Sequence, residues 1–524
     1  MKINKKYIIL IIFLNLFIYL PVILLLPHFQ ADDYYIFAVV KDNPGSFFPQ
    51  SSSLYFYLFF RPLTYFVFYF YFYLLNADAI LIKLLSLLLH IVLIVSIPYF
   101  LRNLAEILSI TIKQKYLILF AFIFSFIYSS LLWVYWICNI NELLMFIFYL
   151  FSIWMYLLFV KTNKTYLLII QFLFFIISVL FKQTSLHIPF LILVVTYLMK
   201  NNINKIIIKK IIISIVLSFA FIITFLIITS GNYVDNLGFW ENIWKKPFSV
   251  VGSMMLSFFP FISRPLYFYF VENKIIAFII FSIILVVLLI IFYKNKIKFK
   301  NIILSLLFIV IIYFPRIIGE TEYASRTYSI QIFWILSVLF YIINNIKNKL
   351  RQNIISFLVV IVLFLHSVDF FSKEIKMWDL SVKQITEFKN LKMNSSNTFI
   401  ITAMDSYILP YEYYYVVHNS FGKDSVKVSP FEYNIYSCNK FNDISGEKYI
   451  DCKKSSDTIY ISKKINSVTL SYSLTFGDIN KYVILSEENS FYRGQNFINF
   501  IIPQNIFENK YDYIYYDGIE WKKF

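Results

Sequence analysis

Charge is what this chain lacks most. Of its 524 residues, 15% are Asp, Glu, Lys or Arg, where a soluble protein carries about 25%. That nearly excludes a soluble fold. Cysteine is scarcer still, with Cys138, Cys438 and Cys452 the whole complement. Three are too few for a disulfide scaffold, and their spacing matches no metal-ligand pattern. Acids are few beside bases, 30 against 47, which invites a nucleic-acid reading. Counting by region removes it. Residues 1–371 hold 29 Lys and Arg with 12 acids, whereas residues 372–524 hold 18 of each. The whole excess therefore belongs to the hydrophobic part, and no basic stripe with stacking aromatics marks the rest. Absent too are an internal repeat of fixed period and the alternating ten-residue segments of a membrane β-barrel.

What is abundant is apolar surface. Hydrophobic residues make up 60% of the chain and aromatics 21%. Apolar runs near twenty residues recur, the length that crosses about 30 Å of hydrocarbon. Lys2, Lys5 and Lys6 precede a first run from Tyr7 to Leu26. Its core is long and no small-residue cleavage site follows, so it reads as an uncleaved span with a cytoplasmic N-terminus. Further spans are expected near 79–101, 116–134, 141–160, 165–181, 184–199, 211–230, 275–293, 301–318, 327–345 and 354–371, eleven in all. The stretch 54–75 suits an interfacial helix better, given Arg61-Pro62 and its tyrosines. With the N-terminus inside, the inside links hold 19 Lys and Arg and one acid, Glu106. The outside links are about twice as long and hold 8. That asymmetry is the positive-inside pattern.

The expected fold class is an all-α polytopic membrane domain of about eleven transmembrane helices over 1–371. A small extracytoplasmic α+β or mostly-β domain over 372–524 follows it. In that second part a polar helix is expected from Ser372 to Lys392. β-type runs follow at Thr398–Ala403, Tyr413–His418, Thr458–Ser462, Ser467–Leu474 and Tyr482–Ser486, punctuated by Asn, Asp, Gly and Ser. Cys438 and Cys452 lie in it, and outside a membrane such a pair forms a disulfide or stays as two thiols. The localisation that follows is the inner or plasma membrane, multi-pass.

Residues that can do chemistry gather in the outside links. Asp32-Asp33 follows the first span, in the long outer loop 27–78. A carboxylate against an apolar wall has a raised pKa and can take a proton from a hydroxyl or amine; the blander reading is a solvated loop start or helix cap. Arg61 can hold a phosphate bidentately, or simply snorkel to head groups. Glu142 opens a span, with a functional role or only as an N-terminal helix charge. Lys182 ends one span in the tight turn Lys182-Gln183-Thr184-Ser185, and His187 enters the next; an interfacial anchor and a packing histidine are the alternatives. Glu322, Arg326 and Tyr328 sit in the late outer loop, where Arg326 can neutralise a phosphate or pair with Glu322 at i, i+4. Under one topology these acids and cations share a side.

That order of motifs resembles the membrane glycosyltransferases of the C-type fold (GT-C), in the branch of protein O-mannosyltransferases and aminoarabinose transferases. The acidic pair after the first span is Asp32-Asp33, and the Arg-Pro-Leu motif is Arg61-Pro62-Leu63. The Trp-containing hairpin with an acid is Trp136 to Glu142, although Asn139-Ile140-Asn141 stands where related sequences place an Arg. Lys182-Gln183-Thr184 resembles a Lys-Glu-Thr turn with Gln for the acid, and Arg326-Thr327-Tyr328 resembles the late Arg-x-Tyr. The resemblance covers roughly residues 1–350.

It implies a polyprenyl-phosphate sugar donor, an acceptor glycan, lipid or protein, and inversion at the anomeric carbon. Asp32 is then the base and Asp33 its helper. Arg61, Lys182 and Arg326 hold the donor phosphate, with Glu142, His187, Glu322 and Tyr328 in support. No divalent metal or other cofactor is required on this reading. The competing classes are an O-antigen polymerase or ligase, whose key residues sit in a large late loop, and a polysaccharide or lipid transporter or flippase. A transporter shows charges within spans, broken helices or related halves, and Lys83 is the main mid-span charge.

Overall fold

The computed structural model describes residues 4–25, 61–108, 110–199, 204–237, 329–344, 348–350 and 352–358, with seven short strands between 398 and 523 and a few isolated positions such as Asp33. It divides into two compact units. One is Met1–Pro27 with Asn43–Asp369; the other is His28–Asp42 with Phe370–Phe524.

The described residues of the first unit are helical. The helices are α1 (Lys5–Leu25), α2 (Pro62–Leu74), α3 (Ala79–Ile107), α4 (Gln114–Ser125), α5 (Tyr128–Tyr135), α6 (Ile140–Thr162), α7 (Tyr166–Phe181), α8 (Ile188–Met199), α9 (Lys205–Leu237) and α10 (Ser329–Asn344). Four stretches are long and apolar enough to cross a membrane: Lys5–Leu25, Ala79–Ile107, Ile137–Thr162 and Lys205–Phe225. At 1.5 Å per residue, 21 residues reach about 32 Å. The 13 residues of α2 reach only about 20 Å, which is too short to cross.

Side-chain placement follows membrane logic. In α1 the polar Asn15 and Tyr19 are buried with Ile11 and Ile23, while Phe13, Phe17 and Leu24 are exposed. In α9 Ser214 and Ser218 face inward, and Ile212, Ile213, Val216 and Leu217 face out. A bilayer rewards this arrangement, because lipid accepts apolar side chains and leaves polar ones to find partners inside.

The tightest pairing is the antiparallel hairpin of α6 and α7. Asn163 closes it in the left-handed region, φ 55°, and donates its N–H to Phe159 O at 2.7 Å. Asparagine tolerates that conformation better than most residues. Down the hairpin, Gln171 O accepts from Ser152 Oγ (3.0 Å) and Met145 O from Ser178 Oγ (2.9 Å). Gln171 Oε1 also accepts from Ser214 Oγ at 2.8 Å, which ties in α9.

Basic links meet at one end of this unit. Glu106 bridges Arg102 (2.8 Å) and Lys161 (3.0 Å). The Lys113 backbone N–H donates to Asn344 Oδ1, Lys115 Nζ to Asn353 Oδ1 and Lys210 Nζ to Thr165 Oγ1. Every residue in these contacts lies in, or within a residue of, a link that the charge count assigns to the inside.

Two expected spans differ in form. The run 116–134 is α4 and α5, separated at Phe126-Ile127. Ser125 is the reason. Its carbonyl accepts from the Tyr19 hydroxyl at 2.5 Å, and its own hydroxyl donates to Asn15 Oδ1 at 2.5 Å. The Tyr19 hydroxyl of α1 thus satisfies a backbone carbonyl that a continuous helix would have used, and Asn15 holds the Ser125 side chain beside it. The run 184–199 begins as a tight turn, Gln183–Ser185, before α8 starts at Ile188. The expected spans 275–293 and 301–318 lie outside the described residues, as does the polar helix 372–392.

In the second unit the described strands form two sheets. One has the order β2-β1-β6-β7, from Val426–Val428, Thr398–Ile401, Asp512–Tyr516 and Trp521–Lys523. Here β1 runs parallel to both neighbours, and β7 is antiparallel to β6. The other is an antiparallel set, β3 (Ile450–Ser455), β4 (Thr458–Lys464) and β5 (Phe497–Pro503). Ser455 pairs with Thr458, leaving a two-residue hairpin connection. β1 and β4 fall on two of the expected runs. The runs at 413–418, 467–474 and 482–486, and Cys438, lie outside the described residues.

Candidate functional site

The hairpin that aligns Ser178 with Met145 also sets Glu142 opposite Lys182. Lys182 leaves α7 in extended conformation (φ −163°, ψ 134°), its N–H still bonded to Ser178 O. Its Nζ donates to Glu142 Oε1. Glu142 sits in the first turn of α6, where the helix dipole favours a carboxylate, and its N–H donates to Asn141 Oδ1 at 2.7 Å. Lys182 is 8% exposed and Glu142 1%. Removing one partner of such a pair strands a buried charge, at a cost of about 3–5 kcal/mol.

The Arg61 motif docks beside this pair. Arg61 caps α2 with its carbonyl, which accepts from the N–H groups of Thr64 (3.1 Å) and Tyr65 (3.3 Å). Thr64 then donates its hydroxyl to Phe181 O at 3.3 Å, the residue before Lys182. Pro62 at the first helical position loses no hydrogen bond there. Two links far apart in sequence therefore bring Arg61 and Lys182 to one end of the unit. Cationic residues set at one end by the fold are a starting point for meeting an anionic group.

His187 belongs to the same turn. Its Nδ1 donates to Thr184 O at 2.8 Å, and its Nε2 lies 3.2 Å from Tyr149 OH. Tyr149 OH in turn accepts from Trp334 Nε1 at 2.7 Å. Ser185 Oγ donates to Lys182 O at 3.1 Å. The Lys182–Ser185 turn is thus pinned from both sides.

Of the residues expected to act, the structure brings Glu142, Lys182 and His187 together, with Arg61 tied to them through Thr64. Asp33 is buried and helical, belongs to the other unit, and engages a polar or ring partner. Asp32, Glu322, Arg326 and Tyr328 lie outside the described residues. Tyr149 and Trp334 went unnoticed in the sequence, where nothing distinguishes them from other aromatics in apolar runs. Among the described residues, His, Cys, Asp and Glu side chains form no group of three or more.

A second polar focus lies in the first unit at the α4–α5 break. Asn15 Nδ2 donates to Ile11 O, and His90 Nε2 lies 3.4 Å from Ser125 Oγ. Lys83, on α3, is fully buried. No protein-family model and no curated protein matches the chain.

Proposed function

We propose that the chain is an integral membrane glycosyltransferase. It takes a sugar from a polyprenyl-phosphate donor and gives it to a glycan, lipid or protein acceptor on the extracytoplasmic face. The N-terminus is cytoplasmic, and the region after residue 371 is an extracytoplasmic domain. The observation that carries the reading is the buried Lys182–Glu142 pair joined to the Arg61 helix start. It supplies fixed cations at the end opposite the basic links.

The step balances as a single displacement. Asp32, assisted by Asp33, accepts the proton of the acceptor hydroxyl or amine. The acceptor heteroatom bonds to the anomeric carbon from the face opposite the phosphate. The bond from that carbon to the phosphate oxygen breaks, and its electron pair leaves with the polyprenyl phosphate. Lys182, Arg61 and Arg326 meet the negative charge, which makes the lipid phosphate a better leaving group. Glu142 aims Lys182, and the step as written calls for no metal. The donor arrives through the bilayer, since nucleotide sugars are confined to the cytoplasm.

The test is sugar transfer by purified protein in proteoliposomes supplied with polyprenyl-phosphate hexose. The Asp32→Asn/Asp33→Asn double variant is expected to fold and lose transfer. Retained transfer would end the proposal.

One observation favours a second reading. The α4–α5 break beside buried His90 and Asn15 is the kind of interruption found at transport sites. A lipid flippase would scramble a fluorescent polyprenyl-phosphate analogue across vesicles without transferring sugar.

A further inference from the structure

Trp334, Tyr149 and His187 form a chain whose protons follow from its partners once His187 is a neutral imidazole. Thr184 O only accepts, so His187 Nδ1 carries a proton. The indole N–H of Trp334 only donates, so it occupies a lone pair of Tyr149 O. The Tyr149 proton is then left for His187 Nε2, which accepts it as a neutral imidazole. Each group has one role, and each link depends on the next. All members are buried, so water cannot replace a lost link cheaply.

The chain joins two elements that the sequence keeps far apart. One end is the carbonyl of Thr184, inside the turn that carries Lys182. The other is α10, which opens at Ser329, three residues beyond Arg326. We propose that Trp334 and Tyr149 are positioning residues that lock the Lys182 turn to α10 through His187, so that the turn carrying this cation is held against the helix as one body. This rests on the reading of Lys182 as a phosphate holder.

The experiment is a binding titration of bare polyprenyl phosphate, which carries no sugar, to the full chain in nanodiscs. Tyr149→Phe and Trp334→Phe are each expected to weaken binding about three- to tenfold, the range for one lost hydrogen bond. The double variant is expected to bind no worse than the weaker single, because both cut one chain. Tyr156→Phe is the control. It removes an equally buried hydrogen bond, 2.8 Å to Thr196, two turns from Tyr149 and about four from Glu142, and is expected to leave binding at wild type. Equal effects of Tyr149→Phe and Tyr156→Phe, or multiplying effects in the double variant, overturn the lock. Should Tyr149→Phe not fold, Trp334→Phe against Tyr156→Phe decides alone. Wild-type binding by Lys182→Met would instead overturn the phosphate-holder reading.

Discussion

Among its described residues the helical unit holds two ion-pair clusters of the same chemistry in opposite surroundings. Glu106 with Arg102 and Lys161 is exposed, with side chains 28–51% accessible. Glu142 with Lys182 is sealed, at 1% and 9%. Exposed pairs contribute little, because water and salt compete for both charges. At the basic end the acid still has a purpose. Glu106 is the one carboxylate among the links that the charge count assigns to the inside, and it relieves repulsion between cations from two of them. The sealed pair is set apart from those links, at the other end of the α6–α7 hairpin. A charge kept dry is costly unless its partner is exact in geometry, so such pairs more often serve function than stability.

The largest effect expected from this contrast comes from cutting the sealed pair. Lys182→Met leaves Glu142 buried without its cation and is expected to lower stability by about 3–5 kcal/mol. Replacing both partners, Lys182→Met with Glu142→Leu, is expected to restore most of that loss, because no charge is then stranded. Sugar transfer stays lost in both variants. Thermal unfolding in detergent separates the two effects. A Lys182→Met melting temperature no lower than that of Arg102→Met would erase the contrast.

A smaller effect is expected at the helix break. Ser125→Ala removes a buried donor from Asn15 and is expected to cost about 1–3 kcal/mol. Ser96→Ala deletes a hydroxyl bonded within its own helix, 2.7 Å to Val92 O, at a half-buried position, and is expected to change stability by under about 0.5 kcal/mol. Equal melting shifts for the two serines would mean that the break is not held by its side chains.

These contrasts also mark what was legible in the sequence. Glu142, Lys182 and His187 stood out because a titratable group in an apolar chain has high contrast. Their meeting was inferable from the tight links that force α6 against α7. Tyr149 and Trp334 had no such contrast in a chain that is 21% aromatic. The break at Phe126-Ile127 was invisible for another reason. No Gly or Pro marks it, and its cause, Tyr19 and Asn15, lies more than a hundred residues upstream. Conversely, Pro21 and Pro98 sit inside α1 and α3 without ending them. Local breakers are a weak guide where neighbouring helices can satisfy freed backbone groups.

The smallest effect tests the comparison most sharply, because it turns on salt. Glu106→Gln is expected to cost under about 1 kcal/mol at low ionic strength. The screening length falls from about 30 Å at 0.01 M to about 3 Å at 1 M, so that cost should vanish across this range. The cost of Lys182→Met should not, since ions in solution do not reach a pair enclosed by α6 and α7. Melting curves of both variants at the two salt concentrations give four numbers, and only one of the two differences from wild type should move. If salt removes the Lys182 penalty as well, the pair is open to water in solution, and its cations are no better prepared for a lipid phosphate than those at the basic end.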